Sequence, residues 1–177
     1  IRSGVHIEPI ITGGGQERDL RSGTENVPSI AGLGEACRIA HEAGAAGPEK
    51  TRRLRDKLEN EICERIPDVV VNGDPEHRLP GTSNLGFLGA EGETLLIRLD
   101  LEGFAVSTGS ACSSGSAEPS HVLLAMDLPK EAVLGSLRIS LGWGNTEEEV
   151  SRLMEVLPLA VDRVRAMAPR ARAATSG

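Results

Sequence analysis

The sequence is short of aromatic rings, of lysine and of paired cysteines, and each shortage excludes something. The aromatic side chains are Phe87, Phe104 and Trp143, 2% of 177 residues, with no tyrosine. Any core must be aliphatic, and the scarcity argues against stacking platforms for single-stranded nucleic acid. Positive charge is the minority sign, with Lys+Arg 19 against Asp+Glu 26 and a formal net charge of -7. That balance disfavours phosphate backbones and anionic membranes, so neither nucleic acid nor a membrane is expected as a partner. The cysteines, Cys37, Cys63 and Cys112, form no CxxC pair. This argues for a reducing, cytoplasmic setting and against a disulfide or metal framework. No apolar stretch reaches the roughly 18 residues of a membrane span, and no targeting pattern appears. The chain opens Ile1-Arg2-Ser3-Gly4, which reads as a piece of something longer.

What is present is ordinary globular composition, 39% hydrophobic and 25% charged. The length is close to one domain and sufficient for a real core without disulfides. Ile7 to Ile11 is an apolar run broken by Pro9 and is expected to form an irregular strand. Gly13-Gly14-Gly15 ends it and opens a polar loop to Asn26. Pro28 suits a first helical turn, where its missing N–H is an orphan anyway. The spacing of Ile30, Leu33, Cys37 and Ala40 predicts a helix over Ser29–Glu42. After a break at Gly44 to Pro48, a second helix carries Leu54, Leu58, Ile62 and Ile66 and stops at Pro67.

Strands are expected at Val69–Val71, at Ser83–Leu88 and, briefly, at Phe104–Val106. Helices are expected over Glu91–Leu101, Pro119–Met126 and Lys130–Leu134. Ser136 to Leu141 alternates cleanly, with Leu137, Ile139 and Leu141 on one face and Ser136, Arg138 and Ser140 on the other. Thr146 followed by Glu149 is a capping box opening a last helix through Val164. Mixed elements with short links give an α/β or α+β fold.

Three places stand out chemically. Ser107 to Ala117 contains nothing larger than threonine apart from Cys112, so it reads as an exposed loop with a thiol at its centre. Cys112 is either an exposed accident or a nucleophile on a swinging arm that takes a group from one partner and presents it to another. Cys37 and Cys63 lie in or beside apolar helix stripes and read as small core fillers. Arg138, mid-strand beside serines, is either an edge-strand arginine or a rigid fork for a carboxylate. Thr24 closes a glycine-rich loop at a helix start. It is either a cap or turn residue, or one of the hydroxyls that help hold phosphate at helix N-termini. The loop itself is neither a Walker loop nor a dinucleotide fingerprint. The histidines are scattered, with no pair at metal-ligand spacing.

Four motifs occur together and in order: Gly13-Gly-Gly-Gln-Glu-Arg-x-x-Arg-Ser-Gly-Thr24, Ser107-x-Gly-Ser-Ala-Cys112, Glu118-Pro-Ser-x-Val-Leu123 and Ser136-x-Arg-x-Ser-Leu-Gly142. In these the sequence resembles the carboxy-terminal part of the pyridoxal-phosphate cysteine desulfurases. They belong to the class V aminotransferase family, and the likeness is to the group with the longer cysteine loop. The resemblance runs from about residue 1 to Arg165.

It implies a fold-type I transferase. Residues 1–27 would end the large cofactor-binding domain, 28–168 would form the small domain, and 169–177 would be a tail. Cys112 would take sulfur from L-cysteine as a persulfide, releasing L-alanine. Arg138 would bind the substrate carboxylate, and Thr24 would touch the cofactor phosphate from a neighbouring subunit. The sulfur would pass to an acceptor such as an iron–sulfur scaffold protein or toward tRNA thiolation. The protein would be a homodimer, or a complex with the missing amino-terminal half. The alternatives are a selenocysteine lyase and a non-catalytic sulfur-relay module. The resemblance departs at the Schiff-base lysine: Lys50, Lys57 and Lys130 all lie outside the family's lysine motif. This chain alone is therefore expected to be inactive, and its leading residues would normally pack on a sheet that it lacks.

Overall fold

The computed structural model describes residues 2–44, 46–108 and 119–167. They divide into two compact units, 1–44 and 45–177, so the first helix groups with the leading loop.

In the first unit a 3-10 turn, Gln16–Asp19, carries positive φ at Glu17, Arg18 and Asp19. The loop around it closes on Ser22, whose Oγ donates to the Gly14 carbonyl at 2.6 Å and whose N–H donates to the Ile11 carbonyl at 3.1 Å. Gly23 N–H donates to Gln16 Oε1 at 3.0 Å. Helix α1, Val27–Ala43, has Pro28 in its first turn, and Asn26 Oδ1 accepts from Ser29 N–H. The strand expected at Ile7 to Ile11 does not form. A strand needs a neighbour to pair with, and Pro9 has no N–H to offer one.

The apolar row of α1 is also uncovered: Val27, Ile30 and Leu33 are each more than half exposed. Cys37 is exposed rather than core, because nothing within its unit packs on that helix. Ser22 is the buried residue among positions 2–44.

The second unit has a real core. Helix α2, Ala46–Arg65, is followed by β1, Val69–Asn72, and β2, Thr82–Phe87. Then come α3, Gly92–Leu101, α4, His121–Ala125, α5, Lys130–Leu134, β3, Ser136–Ser140, and α6, Glu147–Met167. The three strands form an antiparallel sheet in the order β1-β2-β3.

One sheet face supplies Leu85, Phe87, Leu137 and Ile139 to a core shared with Leu54, Leu58 and Ile62 of α2, Leu95 and Leu99 of α3, and Val150 to Val164 of α6. These are the helix stripes and strand alternation expected from the sequence. Cys63, one position from Ile62, turns outward and is exposed. At 100° per residue, the step from Ile62 carries it off the buried stripe. The opposite sheet face carries Asn72, Asn84 and Arg138 beside the exposed Val70, and α5 lies against it at Gly86. A Cβ there would sit 2.8 Å from the Ala132 carbonyl.

The capping box is formed as read: Glu149 N–H donates to Thr146 Oγ1 at 3.3 Å, and Thr146 N–H donates to Glu149 Oε2 at 3.1 Å. The strand expected at Phe104–Val106 is instead irregular backbone leading to a single bridge at Ser107. A half-buried ion pair fastens α2 to the β1–β2 connection. Arg78 forks onto Glu59 at 2.6 and 2.8 Å, and Ser83 Oγ donates to the same carboxylate at 2.5 Å.

Candidate functional site

Arg138 sits in the middle of β3, on the face away from the core. Leu137 and Ile139, its neighbours in sequence, are buried and anchor the strand. Alternation then turns the guanidinium the other way. Arg138 is half-buried. Other arginines of the chain find a carboxylate, exposed ones such as Arg38 and Arg53 and the more enclosed Arg55 and Arg78 alike. Among the described residues the Arg138 side chain has no ion pair and no hydrogen bond. A rigid, uncompensated fork is what a carboxylate ligand requires.

The outer edge of β3 is covered by Ser107. Its N–H donates to the Arg138 carbonyl at 3.1 Å, and Arg138 N–H donates to the Ser107 carbonyl at 2.6 Å. Next to it, Ser136 Oγ donates to the Thr108 carbonyl at 3.3 Å. The start of the small-residue segment is thus laid antiparallel along the strand that carries Arg138. Cys112 itself lies outside the described residues. The described residues resume at 119, and Ser120, which is buried, precedes α4.

Thr24 belongs to the other compact unit. It is exposed, just ahead of the Asn26 cap of α1. Its carbonyl accepts from Arg21 Nη1 at 3.3 Å, and Arg21 also reaches the Gly23 carbonyl at 3.2 Å.

Two asparagines passed over in the sequence complete the polar face. Asn72 on β1 pairs in register with Asn84 on β2, and Asn84 pairs with Arg138 on β3. Register partners share a sheet face. Asn72 Nδ2 donates to Asn84 Oδ1 at 2.7 Å. Asparagine is depleted in strands, which was a usable signal. The register that puts the pair beside Arg138 was not legible without the sheet.

The lysines do not fit a covalently held aldehyde cofactor. Lys57 Nζ is paired with Glu147 at 3.0 Å, and that hydrogen bond pushes its pKa up. Schiff-base formation needs a neutral amine, so the shift runs the wrong way. Lys50 Nζ donates to the Trp143 carbonyl at 3.2 Å, and Lys130 is exposed at the start of α5. Among the described residues there is no group of three or more His, Cys, Asp or Glu arranged to hold a metal. No helix among them is long and apolar enough to cross a membrane.

The family described as aminotransferase class-V matches residues 6–153. A cysteine desulfurase from Trichormus azollae is 48% identical over 169 residues, 96% of this chain and 42% of that protein. A cysteine desulfurase of the IscS type from Clostridium botulinum is 50% identical over 171 residues, 96% of this chain and 43% of the relative. The chain therefore spans less than half the length of these relatives. Among solved structures, a NifS-like protein superposes with a TM-score of 0.79 at 37% identity, covering 92% of this chain and 41% of that one. A NifS-like protein from Rickettsia africae gives a TM-score of 0.76 at 34% identity, with coverage of 89% and 41%.

Proposed function

From the chain's membership of the aminotransferase class-V family, we propose that it forms the carboxy-terminal part of a cysteine desulfurase. The whole protein would act on L-cysteine, release L-alanine and hand sulfur to an acceptor protein for iron–sulfur cluster assembly or tRNA thiolation. Residues 1–27 would complete a large cofactor-binding domain, 28–168 would form the small domain, and 169–177 a tail. Pyridoxal phosphate would supply the electron sink of the reaction, and its Schiff-base lysine would come from outside these residues.

The observation that carries the reading is the pairing of Ser107 with Arg138. It roots the segment bearing Cys112 at the edge of the strand that presents an unpaired guanidinium. Arg138 would hold the carboxylate of cysteine and fix the amino acid's orientation. The Cys112 thiolate would attack the substrate sulfur. A sulfur–sulfur bond forms, the carbon–sulfur bond breaks, and its electron pair leaves with the alanine fragment, which takes up a proton. Cys112 is left as a persulfide. Thr24 would contribute its hydroxyl to the cofactor phosphate of a neighbouring subunit in a homodimer. The cysteine usage, three thiols without a CxxC pair, favours a cytoplasmic setting.

The test is Cys112→Ser in the complete protein with sulfide and alanine both measured. Loss of both products from L-cysteine supports the reading. Undiminished sulfide release contradicts it, because the thiol would then be dispensable. Selenocysteine as a second substrate distinguishes a lyase, which would keep its activity.

A further inference from the structure

The polar row across the sheet holds one more donor than Arg138 itself. Asn84 stands beside Arg138 in register, on the same face. Its Oδ1 is occupied by Asn72 Nδ2 at 2.7 Å. Asn72 is 5% exposed, with its own Oδ1 buried and unpartnered, so it has little freedom to move. The hydrogen bond therefore fixes the Asn84 amide and commits its acceptor. What remains is Nδ2, an accessible donor with no acceptor among the described residues. Beside it lies a guanidinium with no carboxylate partner among the described residues. Two unpaired donors, one charged and one neutral, on adjacent strands make a site for an anion of two oxygens.

We propose that Asn84, oriented by Asn72, is a second substrate-carboxylate ligand that works with Arg138 and sets the affinity for the amino-acid substrate. This rests on the desulfurase reading above and deepens it. The guanidinium supplies the charge. The Asn84 amide would engage one carboxylate oxygen and stop the carboxylate from swinging on the fork. Because Asn84 is in the middle strand, it is held by pairing on both sides, and its position does not depend on the Cys112 segment.

The experiment is steady-state desulfuration of L-cysteine by the complete protein, with inhibition by L-alanine measured in parallel. Asn84→Ala, Asn84→Asp and Arg138→Ala are compared. Asn84→Ala is expected to raise KM for cysteine about tenfold, as loss of a hydrogen bond to a charged group does. The inhibition constant for alanine should rise with it, while kcat changes by less than about twofold.

Asn84→Asp decides between recognition and architecture. Aspartate keeps the size and the acceptor that Asn72 needs, so a purely structural role makes it the milder change. A carboxylate-binding role makes it the more severe, because it places a negative charge where the substrate's own must go. KM higher for Asn84→Asp than for Asn84→Ala supports the inference. The reverse order overturns it. So does an unchanged KM in both variants while Arg138→Ala raises KM. A wild-type protein that releases no sulfide from cysteine removes the desulfurase reading and the inference with it.

Discussion

Ser107 and Arg138 exchange two backbone hydrogen bonds, at 3.1 and 2.6 Å, across the outer edge of β3. The pairing has a mechanical consequence. A segment of small residues cannot anchor itself by burying apolar surface, so its root must be held by backbone bonds. Here that root is the strand whose side chain faces the proposed substrate. Ser107 and the Arg138 side chain share one support, β3, whose Leu137 and Ile139 are anchored in the α2–α3–α6 core.

Arg138→Lys in the complete protein is expected to raise KM for L-cysteine by about tenfold or more, with a smaller effect on kcat. Lysine keeps the charge but loses the planar fork that grips a carboxylate through two parallel bonds. Initial-rate kinetics would show it. An unchanged KM contradicts a carboxylate-binding role.

Acid stability should depend on Glu59. Burial pushes its carboxyl up, but the hydrogen bonds from Arg78 and Ser83 outweigh that and hold it below the ordinary carboxylate range. A depressed folded value means the ionised group stabilises the fold fully above the unfolded value of about 4.3. That contribution is lost as pH falls through the lower folded value. Glu59→Gln is expected to cost about 1–2 kcal/mol at neutral pH, since the half-buried Arg78 loses its counter-ion. The difference between wild type and variant should shrink as pH drops below about 4. Urea denaturation across pH measures both.

Gly135→Ala is expected to destabilise the second unit by about 2–3 kcal/mol. A Cβ at that position runs into the Phe87 carbonyl and comes within 2.8 Å of the Ala90 carbonyl. Both obstacles are backbone and cannot rotate away. The same glycine accepts from Phe87 N–H at 2.9 Å, so the two segments cannot separate without losing that bond. Denaturant midpoints would register the loss, and an unchanged midpoint contradicts so close a contact.

The second unit was largely legible in the sequence because its elements carry clean periodicity. Leu54, Leu58 and Ile62 mark a helix stripe, Leu137 and Ile139 a half-buried strand, and Thr146 with Glu149 a helix start. The first unit was legible only in part. Ile7 to Ile11 has strand composition, yet pairing is a property of two segments and no second segment pairs there among the described residues. Cys37 and the α1 row around Ile30 and Leu33 have the spacing of a buried face, but spacing cannot say what covers a face. The outward placement of Arg138 on β3 was legible from alternation alone. Asn84 was missed because its meaning lies in cross-strand register, which no local pattern encodes. The Glu59–Arg78 pair was missed for the same reason, its partners being brought together only by the β1–β2 connection.

The most direct test of the account is the mass of the peptide containing Cys112 after the complete, cofactor-loaded protein meets L-cysteine without reductant. A gain of one sulfur atom on that peptide, reversed by a thiol reductant and absent from peptides containing Cys37 or Cys63, is the expected result. An unmodified Cys112 in a protein that is releasing alanine from cysteine would contradict the account.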